Sequence, residues 1–396
     1  MDQATSPFVP LVLLPHDAIQ LTEVAYVFVQ RHVEAYDRHL HQDCELIDKK
    51  QWRPIQQRGD VQVFLAVQSC KRSESAKESG VRKQQQYTNS AALPELLTVG
   101  HVGGSLDDVM LGAMTPTIAS MRLKHFYAGI ELNECAVLAT IDCPSPADPF
   151  QSLNIKWAEG YQPPMVRSVA RDRDFVYMEA TGFAKLRDGE EVGYHLLHSV
   201  HFPQTPKVGR NVRGTISMCE LYRQRNHSTV DLYARALMDF GGRLGRSYAV
   251  KCASTALLSV RHVVRCAHLK KLAWLLRLSD PTVVFQGELK CIDCRRRPGL
   301  FVTDIGSCAL CKRALCMSCR LKIELGFVGL TGCLAKRKLW FCKYCWDEAA
   351  QTSSRVAAIE EYADTRSIEQ SGWSSDSPSN SALSNAGRGD VWSFLG

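Results

Sequence analysis

Several familiar signals are missing from this sequence. No apolar run approaches the ~18–20 residues that a helix needs to cross a bilayer. Phe8 to Pro15 is apolar but short, and no basic segment precedes it, so it does not read as a secretory signal. The chain is therefore expected to stay in a reducing compartment. There is no phosphate-cradling glycine loop, no His-Glu-x-x-His and no Gly-x-Ser-x-Gly elbow. Those absences remove the nucleotide-binding, zinc-protease and serine-hydrolase classes. Glu190-Glu191 reads as a solvated turn rather than an acid/base pair. His195, His198 and His201 fall at intervals of three on an expected strand, so successive imidazoles alternate faces and cannot converge on one metal. They are expected at the sheet surface. No catalytic residue is expected, and the chain reads as a non-enzyme.

Charge of one sign is also scarce. The formal net charge is only +7, with the basic surplus concentrated between 241 and 350. Metal-bound thiolates in that stretch would offset much of it, so no nucleic-acid partner is expected.

Cysteine is plentiful, with 16 in the chain. Eight fall in four Cys-x-x-Cys pairs: Cys291/Cys294, Cys308/Cys311, Cys316/Cys319 and Cys342/Cys345. Two thiolates three positions apart can fold over one ion, and Zn²⁺ prefers four soft ligands in a tetrahedron. Four pairs therefore predict two closed structural Zn²⁺ sites. Disulfides are the alternative, disfavoured in a reducing compartment. So short a segment buries little core, so metal binding must supply most of its folding energy. Cys44, Cys70, Cys135, Cys143, Cys219, Cys252, Cys266 and Cys333 show no paired spacing and read as buried or incidental thiols.

The short gap in Cys308-x-x-Cys311-x4-Cys316-x-x-Cys319 resembles the FYVE-type zinc finger. The resemblance implies interleaved, cross-braced ligands: Cys291, Cys294, Cys316 and Cys319 on one ion, Cys308, Cys311, Cys342 and Cys345 on the other. The family's signatures for phosphatidylinositol 3-phosphate are not here. No Trp-x-x-Asp precedes Cys291, the third cysteine sits in Ser307-Cys308-Ala309, and the seventh cysteine follows Leu339-Trp340-Phe341. The finger is thus a divergent one, with weak phosphoinositide binding expected unless another basic set such as Lys336-Arg337-Lys338 takes over. Arg295-Arg296-Arg297 followed by Leu300, Phe301 and Val302 lies where the family has its membrane loop. It reads either as a contact with an anionic membrane surface or as a small core strand with solvated arginines.

Upstream, hydrophobic period gives a helix from about Asp17 to Leu46, strands beginning at Trp52 and Val61, and a loop over 69–90 rich in Ser, Lys and Gln. A strand covers Glu95 to Gly104, Ser105 caps a short helix, and Pro116 opens another through Tyr127. Strands follow at 135–142, 151–158, 174–182, 193–202, 212–223 and 229–237. One long amphipathic helix is predicted from Arg246 to Leu276. The layout is α+β: a curved antiparallel sheet under a long C-terminal helix.

Leu93-Pro94-Glu95-Leu96-Leu97, Asn154-Ile155-Lys156-Trp157, Arg173-Asp174-Phe175-Val176-Tyr177-Met178-Glu179-Ala180-Thr181-Gly182 and Gly193-Tyr194-His195-Leu196-Leu197-His198-Ser199 resemble START-like (helix-grip) domains that are joined to a FYVE-related finger. The resemblance implies a lipid held between sheet and helix. The alternative is a core packed by Met121, Phe126, Phe175, Tyr177, Leu196 and Leu197. The expected organisation is an extended lead-in over 1–15, a START-like domain over 16–280, a FYVE/RING-like cross-brace finger over 285–348, and a disordered Ser-rich tail over 349–396. The leading function is a lipid-binding, membrane-associated adaptor, cytoplasmic and peripheral on endosomal or other internal membranes. A zinc-framed scaffold for protein partners without a lipid is the alternative, and a RING-like ubiquitin ligase a third.

Overall fold

The computed structural model describes residues 6–9, 11–67, 93–160, 171–242, 244–280, 290–297, 305–329 and 332–371. The loop expected over 69–90 lies outside them. Helix α1 spans Pro15–His41, with Pro at its start, Asp17 accepting from the Leu14 N–H, and Arg38, His39 and His41 in its last turn. It ends before the expected Leu46, because Cys44 and Glu45 take left-handed backbone angles and turn the chain back. The lead-in is not merely extended: Phe8 is buried and meets the Trp157 ring edge-on at 5.7 Å.

Among the described residues, ten strands form one sheet: β1 (Trp52–Arg58), β2 (Val61–Ala66), β3 (Glu95–Gly103), β4 (Leu132–Asp142), β5 (Ser152–Gly160), β6 (Arg173–Lys185), β7 (Glu191–Ser199), β8 (Val212–Arg213), β9 (Thr215–Asn226) and β10 (Thr229–Asp239). The order is β1-β2-β3-β10-β9-β7-β6-β5-β4, antiparallel throughout, with the two-residue β8 added parallel to β6. The strands predicted from apolar runs between turn residues are there, except that 212–223 divides at Gly214 into β8 and β9.

The two faces are covered differently. Ile155, Trp157, Val176, Met178, Leu196 and Leu221 point to the outer face, where Val29, Val33 and Tyr36 of α1 cover them. On the inner face, α2 (Leu106–Ala113) and α3 (Ile118–Ala128) lie with the C-terminal helical segment. Ser105 caps α2 as read from sequence, accepting from the Asp108 N–H at 3.1 Å. Helix α3 starts one residue after its Thr117 cap, beyond Pro116.

The expected single helix from Arg246 to Leu276 is broken. Helix α4 (Arg246–Leu257) passes into a 3₁₀ turn (Leu258–His262) and then α5 (Val263–Leu278). The turn brings the Val263 backbone against α2 at Gly112, where a methyl group would meet the Val263 carbonyl oxygen at 1.9 Å. Gly112→Ala is therefore expected to push α2 off α5 and to cost about 1–3 kcal/mol, read as a lower urea midpoint. An unchanged midpoint would contradict the close approach.

The C-terminal cysteines fold around two short hairpins, β11 (Ile305–Ser307) with β12 (Ala314–Cys316), and β13 (Leu321–Val328) with β14 (Leu334–Phe341). Helix α6 (Lys343–Gln351) follows. This module shares a core with the sheet unit: Leu315, Leu325 and Phe341 pack in one cluster with Leu123, Leu269 and Leu272. Tyr127 accepts from the Gly326 N–H at 3.2 Å, and Lys271 donates to the Ala350 and Thr352 carbonyls.

The tail expected to be disordered from 349 is helical in its first part. Helix α7 covers Ser354–Ser371. Ala357 and Ala358 are buried in the inner core, Ser354 donates to Asp108, and Arg355 makes a two-pronged pair with Asp107. The helix formers of Arg355 to Glu361 gain a partner surface on α2 and α5, which composition alone does not reveal. The Ser-rich stretch from 372 lies outside the described residues.

Candidate functional site

Between the inner face of the sheet and helices α3, α4 and α5 lies a cavity of about 680 Å³. Most of its lining is apolar, including Leu132, Phe175, Leu197, Ile216, Met238, Phe240 and Val260. Of the residues expected on inner faces, Phe175, Tyr177 and Leu197 line it. Leu196 instead faces α1 on the other side of the sheet, Met121 packs in a small cluster with Cys135 and Ala158, and Phe126 packs toward the cysteine module.

One region of the lining is polar. Strands β5, β6, β7 and β9 are neighbours, and each contributes one charged or ionisable residue to the inner face: Lys156, Glu179, His195 and Glu220. Lys156 is fully buried and pairs with Glu179; its ammonium also donates to the Thr115 hydroxyl at 2.9 Å. Thr115 in turn donates to Glu179 at 2.7 Å. His195 bridges both carboxylates at 2.8 Å, through Nε2 to Glu179 and Nδ1 to Glu220. The Tyr222 hydroxyl donates to Glu220 at 2.6 Å. Burial pushes the Glu179 carboxyl up, but Lys156 and the His195 imidazole outweigh it and hold it well below the usual carboxylate range. Glu220 is likewise held low, against its burial, by His195 and Tyr222.

This cluster corrects the reading of the histidines. Alternation holds, since His198 sits on the outer face against the Phe28 ring at 3.9 Å. His195, however, is buried with 2% exposure, not at the surface. The available signal was one charged or ionisable residue at an inner position of each of four neighbouring strands, flanked by apolar outer positions. Such a pattern is costly unless the charges meet.

At the α3 side of the cavity, His125 donates from Nδ1 to the Met121 carbonyl at 2.8 Å, and burial lowers its pKa to about 4. Burial also lowers His32, His39, His198, His262 and His268. Each takes up protons more readily when unfolded than folded, so stability falls as pH drops below about 6.5 toward the folded values. His125 alone contributes on the order of 3 kcal/mol across that window. The two carboxylates act in the same direction lower down, their stabilisation being lost below about 4.5. Tm is expected to drop clearly between about pH 7.5 and pH 5; a flat profile would contradict this.

The structure brings the eight predicted cysteines together in two groups. Cys291, Cys294, Cys316 and Cys319 form one; Cys308, Cys311, Cys342 and Cys345 form the other, with all sulfurs of a group within 4.8 Å of one another. The Sγ separations of 3.7 Å for Cys294 to Cys316 and 3.8 Å for Cys311 to Cys342 match the edge of a tetrahedron with Zn–S bonds of about 2.3 Å. They are far too long for disulfides. Peptide N–H groups support the sulfurs: Cys342 donates to the Cys308 sulfur and Cys345 to the Cys342 sulfur, both at 3.4 Å. Arg295 and Lys312, each just after the second cysteine of a pair, adopt left-handed angles that close the knuckles. Each group could hold one zinc ion. Arg295, Arg296 and Arg297 are exposed on the first knuckle, while Leu300 and Phe301 lie outside the described residues.

No family model and no curated protein matches the chain. Among solved structures, the chain is similar to human StAR-related lipid transfer protein 5 (14% identity, TM-score 0.42, covering 63% of this chain and 98% of that one). It is also similar to human STARD10 (12% identity, TM-score 0.39, covering 70% and 87%). A STAR-related lipid transfer protein from Xanthomonas axonopodis is a third such structure (13% identity, TM-score 0.37, covering 54% and 99%). These likenesses are weak, and the architecture above stands on the chain's own strands and helices.

Proposed function

We propose that this chain is a non-enzymatic lipid-binding protein: a START-like unit that encloses one hydrophobic ligand, joined to a divergent FYVE-type module organised by two zinc ions. The observation that carries the reading is the cavity of about 680 Å³, whose size falls in the range of about 300–1,000 Å³ typical of pockets for one small ligand. Its lining is mostly apolar, which suits a ligand that gains by leaving water.

The module serves to recruit the protein to an internal membrane or to a protein partner, making the whole an adaptor. Support comes from the exposed Arg295, Arg296 and Arg297, and from Trp340, which is exposed on β14 with Arg320 and Lys322 against its ring. Absence of the family's headgroup signatures argues against tight binding of phosphatidylinositol 3-phosphate. It favours, as a second reading, a zinc-framed protein-interaction scaffold.

Organic extraction of the purified full chain followed by mass spectrometry tests the proposal. A stoichiometric co-purified lipid, or uptake of one from vesicles, is the expected result. A protein that is empty and takes up nothing from vesicles would leave only the scaffold reading.

A further inference from the structure

The polar region of the cavity has an unbalanced charge. Glu179 and Glu220 are ionised acceptors, so His195 must donate from both ring nitrogens and carries a positive charge. Lys156 and His195 then supply two positive charges against the two negative charges of Glu179 and Glu220, and the cluster is neutral in itself. A further charged group lines the cavity beside Glu179, His195 and Glu220. Lys124 projects from α3, where its ammonium donates to the Ala113 carbonyl at 2.7 Å. Among the described residues no carboxylate lies within ion-pair distance of it. The nearby carboxylates already have their partners, and the adjacent His125 is neutral with its Nδ1–H spent on Met121. Lys124 thus presents a surplus positive charge with donors to spare, and His125 Nε2 presents a lone pair beside it. Glu131 and Lys251, both exposed on the lining, are of opposite sign and leave this surplus unchanged.

A charge facing an apolar cavity without a partner is costly unless a ligand brings the counter-charge. A single ammonium supplies one positive charge, which one carboxylate balances, whereas a phosphate monoester brings about −1.5 to −2 and would leave negative charge unpaired in the cavity. We infer that the ligand is an amphiphile with a singly charged carboxylate head, which accepts from Lys124 while its apolar body lies along Phe175, Leu197, Ile216 and Val260. This inference rests on the cavity being a ligand site, as proposed above.

Matched ligands that differ only at the head provide the test: oleate, oleyl alcohol and an oleoyl lysophosphatidic acid, titrated into the delipidated full chain by calorimetry below their micelle thresholds. Oleate is expected to bind about ten- to a hundredfold more tightly than the alcohol, the range for one hydrogen bond to a charged group. Lys124→Gln should remove that preference while leaving the alcohol's affinity unchanged, and Lys124→Arg should restore much of it. Unchanged circular dichroism and Tm in the variants exclude a folding defect. Equal affinity for oleate and the alcohol would overturn the headgroup inference and leave the cavity reading intact. Tighter binding of the phosphate-headed lipid would overturn the carboxylate assignment. Binding of none of the three, in a protein that also yields no lipid on extraction, would overturn the cavity reading itself.

Discussion

A Cys308→Ser protein is expected to retain one zinc ion instead of two and to lose the fold of the C-terminal hairpins. Cys308 is fully buried, and its sulfur stands in a group with Cys311, Cys342 and Cys345 while accepting from the Cys342 N–H. A serine hydroxyl is a poor zinc ligand at neutral pH, and each structural ion contributes roughly 10–16 kcal/mol of folding energy. The module has little else to hold it, since its own hairpins are short. The effect should also reach the sheet unit. Leu269, Leu272 and Ala273 of α5 and Leu123 of α3 are buried partly against Leu315, Leu325 and Phe341. Unfolding the module exposes that surface, so the sheet unit should remain folded with a Tm lowered by several degrees. Elemental analysis, with hydrogen exchange over 305–351, checks both parts. Cys143→Ser is the control, because Cys143 is exposed and belongs to neither group. Two ions per chain in the Cys308 variant would refute the assignment of ligands.

Most of the sheet was legible in the sequence because local pattern and tertiary environment agree there. Val61 and Val63 flank the polar Gln62 and are both fully buried, and Ser105 caps a helix wherever Asp108 can answer it. The cysteine pairs were legible for a different reason: ligand spacing is set by covalent reach around one ion. What escaped depends on contacts distant in sequence. The small and branched residues of 246–276 keep a helical period through Leu258–His262, and only packing of that stretch against α3 and strands β2 and β3 breaks it. Helix α7 needed the surface of α2 and α5 before it could form. The cavity has no sequence signature, since a void is the space left by the curvature of the sheet and the path of the helices over it. The polar cluster is intermediate. Lys156, Glu179, His195 and Glu220 were visible as charges inside strands, but their meeting required the strand order β5-β6-β7-β9.

That meeting makes Lys156 the residue of the sheet unit with the largest expected cost on substitution. In Lys156→Met the apolar stem is replaced at similar volume, so packing on the inner face changes little. Glu179, 3% exposed, keeps Thr115 and His195 but loses the ammonium that outweighs its burial. Removing one partner of a buried pair costs about 3–5 kcal/mol, because the remaining charge stays out of water. The carboxyl should then rise in pKa, so the variant should regain part of its stability as the pH is lowered and Glu179 is protonated. The native protein loses stability over that range. Glu179→Gln in the Lys156→Met background should recover a large part of the loss, since no unpaired charge is left, although the amide offers one acceptor oxygen where the carboxylate offered two. Urea denaturation of the native protein, both single variants and the double variant closes the cycle. A Lys156→Met loss below about 1 kcal/mol would show that the pair is not enclosed. A double variant less stable than Lys156→Met alone would show that geometry, not the stranded charge, sets the cost.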